Sequence, residues 1–157
     1  MITVTQAIPG DAALFAAFEQ ATDTREFIIP YPENDHDQRM NAPDLRYLRI
    51  LDAGSLAGFF ILGLDPDGQS VEFRRIVVSR KGGGIGQLAI TAMEEFCRTQ
   101  LGRFRIWLDV FADNARGRHI YEKLGYERYG EAAYENRLLL LYQKNIPCRD
   151  ETPSEPL

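Results

Sequence analysis

Residues Lys81-Gly82-Gly83-Gly84-Ile85-Gly86 lie between a short apolar strand pattern and an amphipathic helix pattern, and this junction constrains the fold more than any other stretch. Upstream, Val71, Phe73, Ile76, Val77 and Val78 read as a largely buried strand rich in β-branched residues and closed by Ser79-Arg80. Downstream, Ile85, Leu88, Ala89, Ala92, Met93, Phe96 and Cys97 recur at the spacing of one helix face, with Gln87, Glu94, Glu95 and Arg98 opposite. The glycines therefore open a helix. There the first backbone N–H groups lack intrahelical partners and the macrodipole adds about half a positive charge, which suits a phosphate held by main chain. Glycine permits the close approach that such a ligand needs. The same run also reads as a flexible turn into a helix, so its neighbours must decide.

A chain of 157 residues, 45% hydrophobic and 26% charged, has the composition of one ordinary globular domain, expected over residues 1–147. Residues 148–157 are rich in Pro, Glu, Asp and Ser and read as a disordered acidic tail. No apolar run approaches the roughly 20 residues that span a bilayer, and the first residues lack a basic segment followed by an apolar one. A soluble, cytoplasmic protein with no membrane partner is expected. Two cysteines, Cys97 on the apolar helix face and Cys148 in the tail, argue against a disulfide framework or a cysteine-rich metal site. The net charge of −5 argues against a nucleic-acid partner and agrees with a cationic substrate.

Along the chain, Ile2 and Val4 alternate as a strand, and Pro9-Gly10-Asp11 turns into a helix carrying Leu14, Phe15, Phe18 and Ala21. Residues 23–44 are polar and irregular, a loop or short-helix region with the acidic cluster Glu33, Asp35 and Asp37 around His36. Residues 46–53 and 56–64 read as strands joined by the hairpin signal Asp52-Ala53-Gly54-Ser55, and Asp65-Pro66-Asp67-Gly68 turns into the strand before the glycines. After the long helix, Phe104, Ile106, Leu108 and Val110 alternate as a strand. Asp113 or Asn114 then caps a helix that Gly125 stops, and residues 126–131 and 137–143 close the pattern as strands. This order reads as α/β of the α+β type, with too few β-α-β crossovers for a large doubly wound sheet.

Taken together, Ile76-Val77-Val78, the glycine run, Leu108-Asp109-Val110, Asn114 and Ile120-Tyr121-Glu122-Lys123-Leu124-Gly125-Tyr126 resemble the GNAT superfamily of N-acetyltransferases. The resemblance covers residues 70–131. It departs from the usual glycine motif in that Lys81 stands where Arg or Gln is customary. The resemblance implies a mixed, largely antiparallel sheet of about six or seven strands flanked by about four helices, with the central strands splayed around acetyl-coenzyme A. It assigns the pantetheine arm to the strand backbone at Ile76, Val77 and Val78, and the pyrophosphate to Lys81, Gly82, Gly83, Gly84, Ile85, Gly86 and Gln87. It puts Asn114 beside the pantetheine and Tyr121 beside the thioester sulfur, as the acid that protonates the departing thiolate. The residues agree with these roles. Asn114 and Tyr121 are seven apart, two helical turns, so both face one side of a helix. A phenol of pKa about 10 donates to a thiolate of conjugate pKa about 8.5 at a cost of roughly 2 kcal/mol.

An alkylamine acceptor must first lose a proton, at a cost of about 4 to 5 kcal/mol at neutral pH. Glu72 is the candidate base, directly or through water, because on an unbroken strand it shares a face with Arg74, Ile76 and Val78; a bulge would change that face. Its other reading is a solvated partner of Arg74 or Arg75. The reaction implied is direct transfer of acetyl from acetyl-coenzyme A to a small-molecule primary amine, polyamine-like or amino-acid-like, with no metal. A protein N-terminus or lysine as acceptor, and a non-catalytic acyl-coenzyme A sensor, remain open. An acidic pocket from Glu26, Glu33, Asp35 or Asp37 would favour a cationic amine.

His36 is read as a solvated loop residue rather than a ligand, His119 as a surface residue, Cys97 as core, and Arg116 and Arg118 as facing either the phosphates or water. The rival reading is dinucleotide binding. Gly84-Ile85-Gly86-Gln87-Leu88-Ala89 satisfies G-x-G-x-x-A, with Asp109 about twenty residues on, but too little chain follows for a second mononucleotide half. The closing strand at residues 137–143 offers an edge for a homodimer.

Overall fold

A computed structural model describes residues 1–20, 31–79 and 84–147. Its strands are β1 (Ile2–Gln6), β2 (Leu45–Asp52), β3 (Ser55–Leu64), β4 (Ser70–Val78), β5 (Arg105–Phe111), β6 (Glu127–Tyr134) and β7 (Arg137–Asn145). They form one sheet in the order β1-β2-β3-β4-β5-β7-β6. Every neighbouring pair is antiparallel except β4 with β5. The helices are α1 (Ala12–Glu19), α2 (Glu33–Met40), α3 (Ile85–Phe96, continued by one wider turn over Cys97–Leu101) and α4 (Ala115–Lys123). The expected α+β architecture is thus observed, and the doubly wound parallel sheet of the dinucleotide reading is not.

Local chemistry explains the meander. Ala53 and Gly54 both take positive φ, 51° and 86°, the backbone that a two-residue hairpin needs to match strand twist. In the next turn, the Asp67 carboxylate accepts hydrogen bonds from the amides of Gln69 and Ser70 and from the Ser70 hydroxyl, which together hold its pKa down at about 2. Alternation along the strands then sorts side chains between two faces.

One face carries the larger core. Leu48, Ile50, Phe60, Leu62, Val71, Phe73, Ile106, Leu108, Val110 and Leu140 pack there against Ile85, Ala89, Ile90, Met93 and Cys97 of α3, with Ile120, Tyr121 and Leu124 closing it. The spacing assigned Leu88 to this apolar face, yet it is 58% exposed and Ile90 is buried instead, because the helix rolls slightly on the sheet. Cys97 is fully buried beside Met93, and burial pushes its thiol up to about 12, which makes it a core residue as expected.

The opposite face is smaller and aromatic: Phe15 of α1 stacks on Phe59 with ring centroids 4.3 Å apart, beside Tyr47, Ile61 and Val77. Within it lies a fully buried charged group, Glu19. Its carboxylate receives Arg75 Nη1 at 2.5 Å, the Tyr31 amide at 2.9 Å and His36 Nε2 at 2.6 Å, while His36 Nδ1 meets the Tyr47 hydroxyl at 2.8 Å. His36 is therefore a buried hydrogen-bonded residue rather than a solvated one, and the loop or short-helix region expected around it holds the short helix α2. Its polar neighbours in sequence concealed this, since Glu33 and Asp37 face solvent while His36 points inward.

The closing strands also differ from expectation. Strand β7 pairs with β5 on one side and β6 on the other, so the open edge there is β6, and residues 137–143 cannot provide the dimer edge anticipated for them.

Burial alone would raise the pKa of Glu19, but the His36 and Tyr31 hydrogen bonds and Arg75 bring it below its ordinary value of 4.5. A group lowered on folding stabilises the fold above its unfolded pKa and loses that contribution as pH falls through the folded value. Glu19→Ala is expected to cost about 3–5 kcal/mol, because it leaves the Arg75 charge nearly buried and unpaired. Urea denaturation at pH 7 checks the magnitude, and the variant's stability should vary less than the parent's below about pH 4.5.

Candidate active site

Strands β4 and β5 pair at only three positions, Ser70 with Arg105, Val71 with Ile106 and Glu72 with Trp107. Beyond these, β4 runs on to Val78 and β5 to Phe111 without pairing to each other. The two strands thus open into a wedge, as the splayed-sheet expectation required.

A bulge shapes one wall. Leu62 faces Phe73 and Ile61 faces Arg75, so Arg74 is the extra residue, and such an insertion bends the strand and increases its twist. It also exchanges the faces. Val71 and Phe73 before the bulge, and Ile76 and Val78 after it, all meet the larger core, whereas Val77 joins the aromatic core and Arg75 reaches Glu19. Glu72 lies on that second side, over Gly63, so it does not share a face with Ile76 and Val78 as the unbroken strand predicted. The upper half of β4 is held tightly against β3. A Cβ on Gly58 would lie 2.1 Å from the Val77 carbonyl oxygen, so only glycine permits this approach.

The start of α3 lies at the open end of β4 in the chain. Gly84 takes φ 77° as its N-cap, a left-handed conformation that favours glycine, and no side chain caps the helix. The ladder begins with Leu88 N–H to Gly84 O, leaving the amides of Ile85, Gly86 and Gln87 ahead of it. Ile85 is buried and anchors the turn, while Cβ atoms built on Gly84 and Gly86 meet nothing within 4 Å among the described residues. Open space before unpaired helix amides fits an anionic pyrophosphate, and the free edge of β4 fits an amide-bearing arm. Lys81, Gly82 and Gly83, named with this loop, lie outside the described residues, as do Arg80 and Glu26.

Helix α4 supplies the other wall. Asn114 is its N-cap, accepting the Gly117 amide at 3.0 Å, which leaves the side-chain NH2 as its remaining donor. At the far end, Gly125 at φ 95° allows the Gly125 amide to reach Glu122 O and the Tyr126 amide to reach Tyr121 O, a closure that fixes the last turn. Tyr121 is therefore rigidly held. Its ring meets Phe73 edge-on at 5.7 Å and Tyr126 at 6.1 Å, while its hydroxyl has no hydrogen-bond partner among the described residues. Burial, and then the charge of Asp109, push its pKa up to about 12. Donation to a thiolate of conjugate pKa about 8.5 then costs about 5 kcal/mol, more than the free phenol requires.

Three charged side chains stand at the mouth of the wedge. The Glu72 carboxylate is clasped by Arg74, at 2.8 Å from Nη2 and 3.2 Å from Nε. Asp109, two residues beyond the last β4–β5 pair, is open at the surface and has no hydrogen bond or ion pair among the described residues. Desolvation by the surrounding walls, and then Glu72, raise its pKa, with Arg74 opposing. In the sequence Asp109 belongs to the Leu108-Asp109-Val110 segment of the family resemblance and to the dinucleotide alternative, and neither gives it a catalytic role. Its alternation with the inward Ile106, Leu108 and Val110 was the available signal that it faces the other side of the sheet. The Glu19 cluster was missed too, although Glu19 follows Phe15 by one helical turn.

Other tempting residues separate cleanly. His119 and Arg116 are exposed, whereas Arg118 is turned inward, donating to Ala112 O at 3.0 Å and to the Tyr142 hydroxyl at 3.4 Å, so it braces the end of β5.

The acetyltransferase (GNAT) family profile matches residues 13–126. The chain belongs to the GNAT acetyltransferase family. Membership makes it an acetyl-coenzyme A-dependent N-acetyltransferase. Curated protein sequences provide no match. Among solved structures, the acetyltransferase is similar to spermidine N-acetyltransferase from Vibrio cholerae in complex with CoA and spermine, at TM-score 0.79 and 19% identity over 92% of this chain and 95% of that one. It is similar to aminoglycoside acetyltransferase AAC(6')-Ib in complex with coenzyme A and kanamycin, at TM-score 0.82 and 16% identity over 98% and 100%. It also resembles a putative phosphinothricin N-acetyltransferase, at TM-score 0.76 and 16% identity over 93% and 99%.

Gly84→Val introduces a branched side chain at a left-handed position, with an expected stability cost of about 1–2 kcal/mol. Because its side chain also enters the open space before α3, acetyl-coenzyme A affinity should fall in addition. Calorimetric titration paired with thermal unfolding separates the two losses.

Proposed function

We propose that this acetyltransferase moves the acetyl group of acetyl-coenzyme A directly to a primary amine of a small molecule, polyamine-like or amino-acid-like. The observation that carries the reading is the wedge between β4 and β5, with a phenol that has no partner among the described residues on one side and carboxylates at its mouth. The neighbours named for spermidine, aminoglycoside and phosphinothricin substrates support an amine acceptor.

Bound acetyl-coenzyme A supplies the acetyl group and a thiolate leaving group. The backbone of Ile76, Val77 and Val78 receives the pantetheine amides, and one of these strand N–H groups polarises the thioester carbonyl. The helix amides at Gly84, Ile85, Gly86 and Gln87, together with Lys81, Gly82 and Gly83, hold the pyrophosphate. Asn114 offers its NH2 group to the pantetheine while its oxygen stays committed to the helix cap. Tyr121 gives a proton to the departing sulfur. Glu72, oriented by Arg74, helps draw the acceptor ammonium into the wedge and takes its proton, directly or through water. No covalent acyl-enzyme is required, and Cys97 stays a core residue.

Calorimetry with acetyl-coenzyme A, with NAD as control, tests the cofactor assignment, and CoA release with spermidine, kanamycin and phosphinothricin tests the acceptor class. Binding without release in the presence of any amine would leave a sensor rather than an enzyme. Tyr121→Phe is expected to lower kcat by roughly 10²-fold while leaving acetyl-coenzyme A affinity within about twofold. Unchanged turnover would remove Tyr121 from the acid role.

A further inference from the structure

We propose that Glu19 is a positioning residue for acetyl transfer: by gripping Arg75 on the face of the sheet away from α3, it sets the direction of the Ile76 N–H in the wedge. The inference rests on the acetyl-transfer reading above, in which a strand N–H polarises the thioester carbonyl.

The ladder with β3 selects that N–H. Beyond the bulge, β4 keeps an unbroken register from Arg75 opposite Ile61 to Val78 opposite Gly58, and the Ser79 amide extends it by donating to Ala57 O at 2.7 Å. Antiparallel partners alternate between those that exchange hydrogen bonds and those that do not. Counting back from Ser79, Val77 and Arg75 turn their backbone groups toward β3, so Ile76 and Val78 turn theirs toward the wedge. The peptide joining Arg75 to Ile76 is therefore the first beyond the bulge to aim its N–H into the space that β5 leaves open.

A bulge disrupts the ladder locally, and this peptide is held by β3 on one side and, among the described residues, by no strand on the other. The Arg75 side chain removes the freedom that remains. Its Nη1 lies 2.5 Å from Glu19 Oε2, and its guanidinium stands 4.3 Å from the centroid of the Tyr31 ring, which also carries Arg39 of α2 at 4.1 Å. Glu19 is itself fixed: it is 0% exposed, and its Oε1 accepts the Tyr31 amide at 2.9 Å and meets His36 Nε2 at 2.6 Å. It is the last residue of α1, where the negative end of the helix dipole opposes a carboxylate, and a buried ion pair offers little net stability over apolar packing. What the pair supplies that an apolar contact lacks is direction, because a planar guanidinium meets a carboxylate in few geometries. Direction matters at this peptide, since a misplacement of about 1 Å in a reacting group costs on the order of 10²-fold in rate.

The test reads the thioester carbonyl itself. Infrared difference spectra of bound acetyl-coenzyme A, labelled with ¹³C at the carbonyl, report its polarisation, because the stretch falls in frequency as a hydrogen bond to it strengthens. The parent should show a lowered stretch, and Glu19→Gln, which keeps the shape and removes the charge, should lose most of that lowering. In turnover with spermidine or kanamycin, its kcat per folded protein should fall about 10- to 10²-fold while acetyl-coenzyme A affinity stays within about twofold. Arg75→Lys keeps the charge without the planar contact; it should shift the stretch the same way, and it carries the test where Glu19→Gln does not fold. Asp11→Asn is the control. It removes another buried carboxylate, one paired with Arg49 of β2 at 3.0 Å, and should move neither the stretch nor kcat. An unmoved stretch in a folded variant, an equal movement in Asp11→Asn, or an unchanged kcat beside a moved stretch overturns the inference. Failure of the transfer reading is seen separately, as parent protein that binds acetyl-coenzyme A but acetylates no amine. The stretch then still decides whether Glu19 directs the strand amide, whereas a parent that does not bind acetyl-coenzyme A removes both.

Discussion

Backbone groups of residues 73–78 that face β5 have no strand to pair with among the described residues, because the ladder between β4 and β5 ends at Glu72 and Trp107. Peptide groups left in this way require a partner, from water or from a ligand that carries its own amides. The remainder of the site is arranged around that requirement. Among the described residues, the first amides of helix α3 have no partner and face open space, and the phenol of Tyr121 has no hydrogen-bond partner. An extended acyl thioester with amides at one end and phosphates at the other satisfies both the strand edge and the helix terminus.

A wedge in a sheet is unstable unless something prevents its strands from closing. Here the Arg74 bulge bends β4, and Gly58 allows the bent half to stay close against β3. Arg75, next to the bulge, is tied through Glu19 to α1, and His36 ties α2 into the same network. The opposite side is held by aromatic edges, with Phe73 against Tyr121 and Tyr121 against Tyr126, whose hydroxyl donates to Glu94 of α3 at 2.9 Å. Burial and Glu94 both raise the Tyr126 pKa, so it remains a neutral donor and a structural residue. The two faces of the sheet therefore cooperate: one fixes the bend and the other fixes the phenol.

Much of this was legible because it depends on local pattern. The hairpin at Ala53-Gly54, the helix cap at Asn114 and the stop at Gly125 follow from backbone preferences that neighbouring residues reveal directly. The strand-glycine-helix junction and the two-turn spacing of Asn114 and Tyr121 were visible for the same reason. The burial of Glu19 and His36 was not. Their flanking residues are polar, and what brings them inward is a joint contact with Arg75 and Tyr47 from distant strands. Glu72 was assigned the wrong face because one extra residue in β4 reverses alternation, and a bulge leaves no reliable mark in a strand composed of Phe, Arg, Arg and Ile.

By itself the sequence determined the order of elements, the anion-suited helix start and the pairing of a cap residue with a phenol on one helix, since each is a short-range consequence of propensity and spacing. Only the tertiary structure decided which carboxylate stands free at the wedge and which is bound by arginine. That outcome depends on where β4 leaves β5 and which way the bulge turns Arg74. Both are set by contacts between residues far apart in the chain, where neither periodicity nor motif carries information.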